Sequence, residues 1–268
     1  MMAQTQVQTS ASAVPVLEVR NMTQQFGGLR AVSDFNVSLK LGEMTGLIGP
    51  NGAGKTTVFN LVSGFYQPTQ GQIFVNGKPT AGLKPHKVTA LGVARTFQNI
   101  RLWNDMTVLD NIRVAQHYQL GYGFFHSVLR NKRYKQREAE VLKEAEELLE
   151  IFDLKRFADE LPKNLPYGTQ RKLEIARALS SHPQLLLLDE PAAGLNSSDV
   201  KELIRLVRWI HETFEVSIWM IEHHMDVVME LCDQIKVIDF GETIAEGTPD
   251  QIRNHPAVIT AYLGDDNI

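Results

Sequence analysis

Residues 49–56 read Gly49-Pro50-Asn51-Gly52-Ala53-Gly54-Lys55-Thr56, a complete G-x-x-x-x-G-K-[ST] run. Its glycines let consecutive backbone N–H groups point at one anion, and the geometry requires a strand entering the turn and a helix leaving it. Both are present. Met44 to Ile48 is an apolar stretch of strand length, and Thr56 to Ser63 has helical spacing. Phosphate is the natural ligand of such a loop, cradled by Gly49, Pro50, Asn51, Gly52, Ala53 and Gly54. Lys55 then faces the β- and γ-phosphates, the Thr56 hydroxyl ligates Mg²⁺, and Thr57 adds a phosphate contact. The chain is read as binding ATP with Mg²⁺.

Downstream, Leu185 to Leu188 form an apolar strand that ends in Asp189 and Glu190. This places a carboxylate at the end of a sheet, beside the phosphate loop. Asp189 fits the Mg²⁺ side, and Glu190 can polarise the water that attacks a γ-phosphate. Alone, leucines followed by acids mark only a buried strand meeting solvent; with the phosphate loop upstream, they point to hydrolysis.

The remaining pattern bounds the fold. At 268 residues the chain can bury a large core. Val16 to Phe26 and Phe35 to Leu39 alternate like a half-buried antiparallel sheet, and Gly71 to Val75 and Leu91 to Phe97 read as further strands. From Met106 to about Ser181 the spacing turns helical, with Leu142, Ala145, Leu148, Leu149 and Phe152 on one face. Strands return at Leu185 to Leu188, Val216 to Ile221 and Ile235 to Phe240, with helical segments between, which argues for a mainly parallel sheet. The formal net charge of −4 disfavours nucleic acid as a partner. The single cysteine, Cys232, cannot form an internal disulfide and reads as a small buried residue suited to a reducing cytoplasm. Met1 to Pro15 reads as a flexible tail without the character of a signal peptide, and no apolar run reaches the ~20 residues needed to span a bilayer.

These motifs resemble the ATP-binding subunits of ABC transporters, and the resemblance runs from about Val16 to the end of the chain. Gln98, after Val93-Ala94-Arg95-Thr96-Phe97, resembles the Q-loop residue that touches Mg²⁺ and senses the transmembrane subunit. Leu165-Pro166-Tyr167-Gly168-Thr169-Gln170 is similar to the signature Leu-Ser-Gly-Gly-Gln, which places Gly168 at a nucleotide. Ala193-Gly194-Leu195-Asn196 looks like the D-loop, and His223, just past a strand, resembles the switch histidine, with His224 a solvent-facing neighbour. Phe26 resembles the aromatic residue that stacks on adenine, where the family more often has tyrosine. The resemblance implies a P-loop NTPase ABC cassette over 16–268. In it a mainly parallel α/β core carries an N-terminal antiparallel β subdomain and a helical subdomain at about 104–181.

Within the family, Tyr167-Gly168-Thr169-Gln170-Arg171-Lys172-Leu173-Glu174-Ile175-Ala176-Arg177, Ile221-Glu222-His223 and Gly247-Thr248-Pro249 through Ala261-Tyr262-Leu263-Gly264 look like an ATPase of branched-chain amino-acid importers. That implies a second ATP-binding subunit, two transmembrane permease subunits, a solute-binding protein acting indirectly, and a place on the cytoplasmic face of the cell membrane. Urea import, lipopolysaccharide export and a soluble ABC ATPase stay open as alternatives. Pro166 stands where the signature has serine, and it supplies neither a hydroxyl nor an N–H. Asn196 stands where the D-loop has aspartate. Together the two departures suggest a heterodimer with unequal sites. The long stretch from about Gln116 to Arg137 is aromatic and then basic; it reads as packing on the helical subdomain or as docking near lipid headgroups.

Overall fold

The computed structural model describes residues 14–116 and 132–263. Residues 1–13 of the tail expected at the N-terminus and the aromatic part of the 116–137 stretch lie outside the described residues.

The chain opens with a hairpin of β1 (Leu17–Phe26) and β2 (Leu29–Leu39), followed by β3 (Met44–Ile48) and α1 (Lys55–Val62). Next come β4 (Gln70–Val75), β5 (Lys78–Pro79), α2 (Pro85–Ala90) and β6 (Val93–Arg95). The helical stretch holds α3 (Val108–Gln116), α4 (Lys132–Ile151) and α5 (Tyr167–Leu179). The chain then alternates β7 (Leu185–Asp189), α6 (Ser197–Phe214), β8 (Ser217–Ile221), α7 (Met225–Leu231) and β9 (Gln234–Asp239), and ends with β10 (Glu242–Gly247), α8 (Pro249–Arg253) and α9 (Pro256–Leu263).

Two sheets result. One is antiparallel in the order β2-β1-β4-β5; the other has six strands in the order β10-β9-β3-β8-β7-β6, parallel except for β10 against β9. The expected α/β class with an antiparallel N-terminal part is what the chain adopts.

The four leucines of β7 show why the larger sheet forms. Leu185 and Leu187 point into a core shared with β1, β2, Phe59 of α1 and Trp219, while Leu186 and Leu188 point into the core under α5, α6 and α7. A strand buried on both faces needs a continuous apolar run rather than an alternating one. Each fully buried leucine contributes about 1.5–3 kcal/mol relative to exposure.

Three expectations shift. The strand expected over Leu91 to Phe97 is only Val93–Arg95, because Phe97 leaves the ladder: its N–H donates to Glu174 and its carbonyl accepts from Arg171. The strand expected to reach Phe240 ends at Asp239, where Phe240 turns at φ +42°. Strand β10 was not anticipated from the pattern. Cys232 is buried, and burial pushes its thiol pKa upward.

Candidate functional site

Strand β3 feeds the phosphate loop, and two glycines explain its shape. Gly49 has φ +151°, and a Cβ there would sit 1.9 Å from the carbonyl oxygen of Ile238; at Gly54, φ is +104° and a Cβ would lie 2.5 Å from Ala31 O. Only glycine fits either position. Gly54 precedes α1, whose first residue, Lys55, turns its ammonium back over the loop and donates to Gly49 O at 2.7 Å and Pro50 O at 2.8 Å. Burial lowers the Lys55 pKa from its ordinary value, and the charges of Glu190 and Asp189 pull it back up. Those two acids are the counter-charges over which a phosphate would compete.

The sheet order brings these acids close. Strands β3 and β7 are not neighbours; β8 lies between them and adds His223 to the same end. Leu47 pairs with Ile221, and Ile221 pairs with Asp189, so a single row crosses all three strands just before the reactive residues. Beyond that row lie Gly49, Glu190 and His223.

Glu190 is held on both oxygens. Gln98 Nε2 donates to its Oε2 at 2.7 Å, and His223 Nε2 lies 2.8 Å from Oε1. An ionised carboxylate only accepts, so this pairing places a proton on His223 Nε2. The Glu190 backbone sits at φ +48°, a left-handed conformation that costs about 1–3 kcal/mol in a non-glycine residue. Hydrogen bonds from its N–H to Ile221 O at 2.9 Å and from Ala193 N to its carbonyl at 3.1 Å fix that turn. His224 points elsewhere, exposed at the start of α7.

Asp189 is arranged differently. Its Oδ2 accepts from Arg95 Nη2 at 2.7 Å in an almost fully buried ion pair. Its Oδ1 is buried without a hydrogen-bond partner among the described residues. A hollow of about 290 Å³ brings Thr56, Gln98 and Asp189 together, the three residues assigned to the metal, with Arg95 and Asn60 beside them. No cluster of three His, Cys, Asp or Glu side chains suited to a metal exists among the described residues. A hydroxyl, an amide and one carboxylate with a free oxygen make an all-oxygen donor set, which fits Mg²⁺ sharing its coordination with phosphates. A neighbouring hollow of about 300 Å³ is lined by Asn51, Gly52, Gly54, Lys55, Thr56, Thr57, Gln98, Glu190 and His223.

Phe26 lines neither hollow, although its neighbour Tyr66 lines the first. It ends β1, is half exposed, and meets Tyr66 edge-on at 5.4 Å between ring centroids. Gly168 sits in the first turn of α5, where a Cβ would meet nothing within 4 Å.

Sequence reasoning gave no role to three groups that shape the site. Arg95 pairs with Asp189. Glu222, 1% exposed, accepts from the N–H groups of Ala192, His223 and His224 and so ties the turn after Glu190 to the turn carrying the histidine. Burial pushes the Glu222 carboxyl up from its ordinary value, and those three donors oppose the shift. Arg171 and Glu174 form a buried ion pair that grips the main chain around Gln98. Only an unusual acid beside a histidine and an Arg-x-x-Glu step on a helix were visible beforehand.

Residues 32–193 match the ABC transporter family, and residues 242–267 match the family described as branched-chain amino acid ATP-binding cassette transporter. The chain is 46% identical to the high-affinity branched-chain amino acid transport ATP-binding protein LivG of Escherichia coli, over 94% of this chain and 98% of that one. It is 45% identical to BraF of Pseudomonas aeruginosa, which has the same description, over the same shares. A crystal structure of the ADP conformation of an ATP-binding cassette of an ABC transporter aligns with a TM-score of 0.80 at 28% identity, covering 94% of this chain and 99% of the other.

Proposed function

The chain belongs to the ABC transporter family of ATP-binding cassettes, and on that premise we propose that it hydrolyses MgATP to drive a branched-chain amino-acid importer. The observation that carries the chemistry is the convergence of Lys55, Gln98, Glu190 and His223 on one hollow at the end of the parallel sheet. The substrate class rests on the relatives and on the C-terminal match over residues 242–267.

In this reading the loop N–H groups and Lys55 bind the β- and γ-phosphates, exchanging the Gly49 and Pro50 carbonyls for phosphate oxygens. Thr56, Asp189 and Gln98 would hold Mg²⁺, which when bound neutralises charge on the phosphates. Glu190 accepts the proton of the attacking water at its carboxylate. His223 and Gln98 fix that carboxylate's orientation, so no rotamer search precedes the reaction. Phe26 offers an exposed ring for the adenine, next to Tyr66.

The partners we propose are a second, non-identical ATP-binding subunit, two permease subunits and, indirectly, a solute-binding protein. The chain would sit on the cytoplasmic face of the membrane through the permeases; no helix among the described residues is long and apolar enough to cross a bilayer. Gly168 and the start of α5 would then face the partner's nucleotide. The test is to reconstitute the chain with its permeases in liposomes and measure ATP hydrolysis and uptake of leucine, isoleucine and valine. Hydrolysis stimulated by another solute class, with none of these three transported, would overturn the substrate assignment.

A further inference from the structure

Five hydrogen bonds close a ring that begins and ends at Glu190. Gln98 Nε2 donates to Glu190 Oε2 at 2.7 Å, and Arg171 Nη2 donates to the Gln98 carbonyl at 3.1 Å. The same Arg171 nitrogen reaches the Tyr167 hydroxyl at 3.2 Å, that hydroxyl donates to Ala193 O at 3.2 Å, and Ala193 N–H donates to Glu190 O at 3.1 Å. Arg171 is itself fixed, because its other nitrogen holds Phe97 O at 2.8 Å and Glu174 at 2.7 Å. The ring of Tyr167 also packs on the turn after Glu190, where a Cβ on Gly194 would lie 3.8 Å from the tyrosine.

We propose that Tyr167 is a positioning residue for hydrolysis: its hydroxyl closes this ring and sets Glu190 and Gln98 relative to each other. This rests on the reading of Glu190 as the residue that activates water. The phenol does not contact the carboxylate. It fixes the carbonyl of Ala193, and through that turn the strained Glu190 backbone, from one side, while Arg171 fixes Gln98 from the other. Arg171 stays anchored without the Tyr167 hydroxyl, but the Ala193 turn loses the hydrogen bond that this hydroxyl makes to it. A glycine at this position, the usual residue of the family signature, could not make the link. The tyrosine thus joins the signature helix to the catalytic turn of its own chain.

The test uses Tyr167→Phe in the complete transporter. Tyr167 is 44% exposed, so loss of the hydroxyl leaves the fold intact, which is checked by an unchanged Tm. We expect kcat for ATP hydrolysis to fall about three- to tenfold with KM for MgATP held, the size of one lost hydrogen bond. In a Gln98→Ala background, where the ring is already open, the same change should alter kcat less than about twofold. An unchanged kcat overturns the proposal. So does a raised KM, which would place Tyr167 on nucleotide binding, and so does a full multiplicative effect in the Gln98→Ala background. Lys55→Ala is measured alongside. Wild-type hydrolysis in that variant would remove the hydrolysis reading itself, whereas its loss together with an unchanged Tyr167→Phe would refute only the role of the tyrosine.

Discussion

In the proposed reading the phosphate loop and the start of α5 are the two halves of a nucleotide site, and they are built in opposite ways. At the loop, side chains carry the chemistry and each has fixed partners: Lys55 on two carbonyls, Glu190 between Gln98 and His223. At α5, Pro166 occupies the N-cap, no side chain caps the helix, and no acid lies in the first turn. The start of α6 sharpens the contrast, because there the Asn196 side chain accepts from Ser198 N and Asp199 N. A helix whose first turn is capped by its own chain has little to offer an anion; one left uncapped keeps its N–H groups and dipole for a ligand. On that reading the first half supplies the reactive side chains, and what the second offers a partner's nucleotide is backbone electrostatics.

The largest test of that division is Lys55→Ala, which should remove detectable MgATP binding and turnover, read by nucleotide titration and phosphate release. Retained binding would mean that the loop backbone alone suffices and would erase the contrast. Glu190→Gln should leave binding intact, slow hydrolysis by about 10²–10⁴ and accumulate an ATP-bound dimer on size exclusion.

The next effect concerns the dimer. Losing a charge-assisted hydrogen bond to a γ-phosphate costs about 1.5–3 kcal/mol, so the site that uses Pro166 should run about ten- to a hundredfold slower than its counterpart. Pro166→Ser should raise turnover, and Glu190→Gln should damage transport more than the same change in the partner subunit. Equal damage from both would show that the uncapped helix is no handicap. The smallest effect is on stability: Asn196→Ala should cost about 0.5–2 kcal/mol in urea unfolding. A null result there would weaken the distinction between capped and uncapped helix starts.

The acid pair was legible through the phosphate loop upstream of it, and the phosphate loop because it is a local run whose residue types and spacing suffice. The buried parallel sheet was legible from Leu185 to Leu188 for the same reason. What stayed hidden depends on contacts far apart in the chain. Arg95 looks like one polar residue ending a strand until Asp189 meets it, and Glu222 looks solvated until three N–H groups converge on it. The intervening β8 could not be placed between β3 and β7 by periodicity, which sees one strand at a time. Strand β10 escaped because it is mostly exposed, with only Ala245 and Gly247 buried, and its alternation is too weak to separate from a loop. The departure of Phe97 from its strand is enforced by Arg171 and Glu174 on α5, another long-range cause.

The row of Leu47, Ile221 and Asp189 across the sheet has a bearing on how such a chain tolerates change. The spacing between Lys55, Glu190 and His223 is measured across hydrogen-bonded strands about 4.8 Å apart, and not along the polypeptide that joins them. The connection from β6 to β7 can therefore lengthen or shorten between α3 and α4 without moving a reactive atom, whereas Gln98 and Tyr167 on the same connection are tied into the site. One residue added inside β8 is another matter. It would advance the strand by about 3.3 Å and turn every later side chain to the opposite face, carrying His223 away from Glu190. Length is free where a crossover holds no site residue and forbidden in the strands.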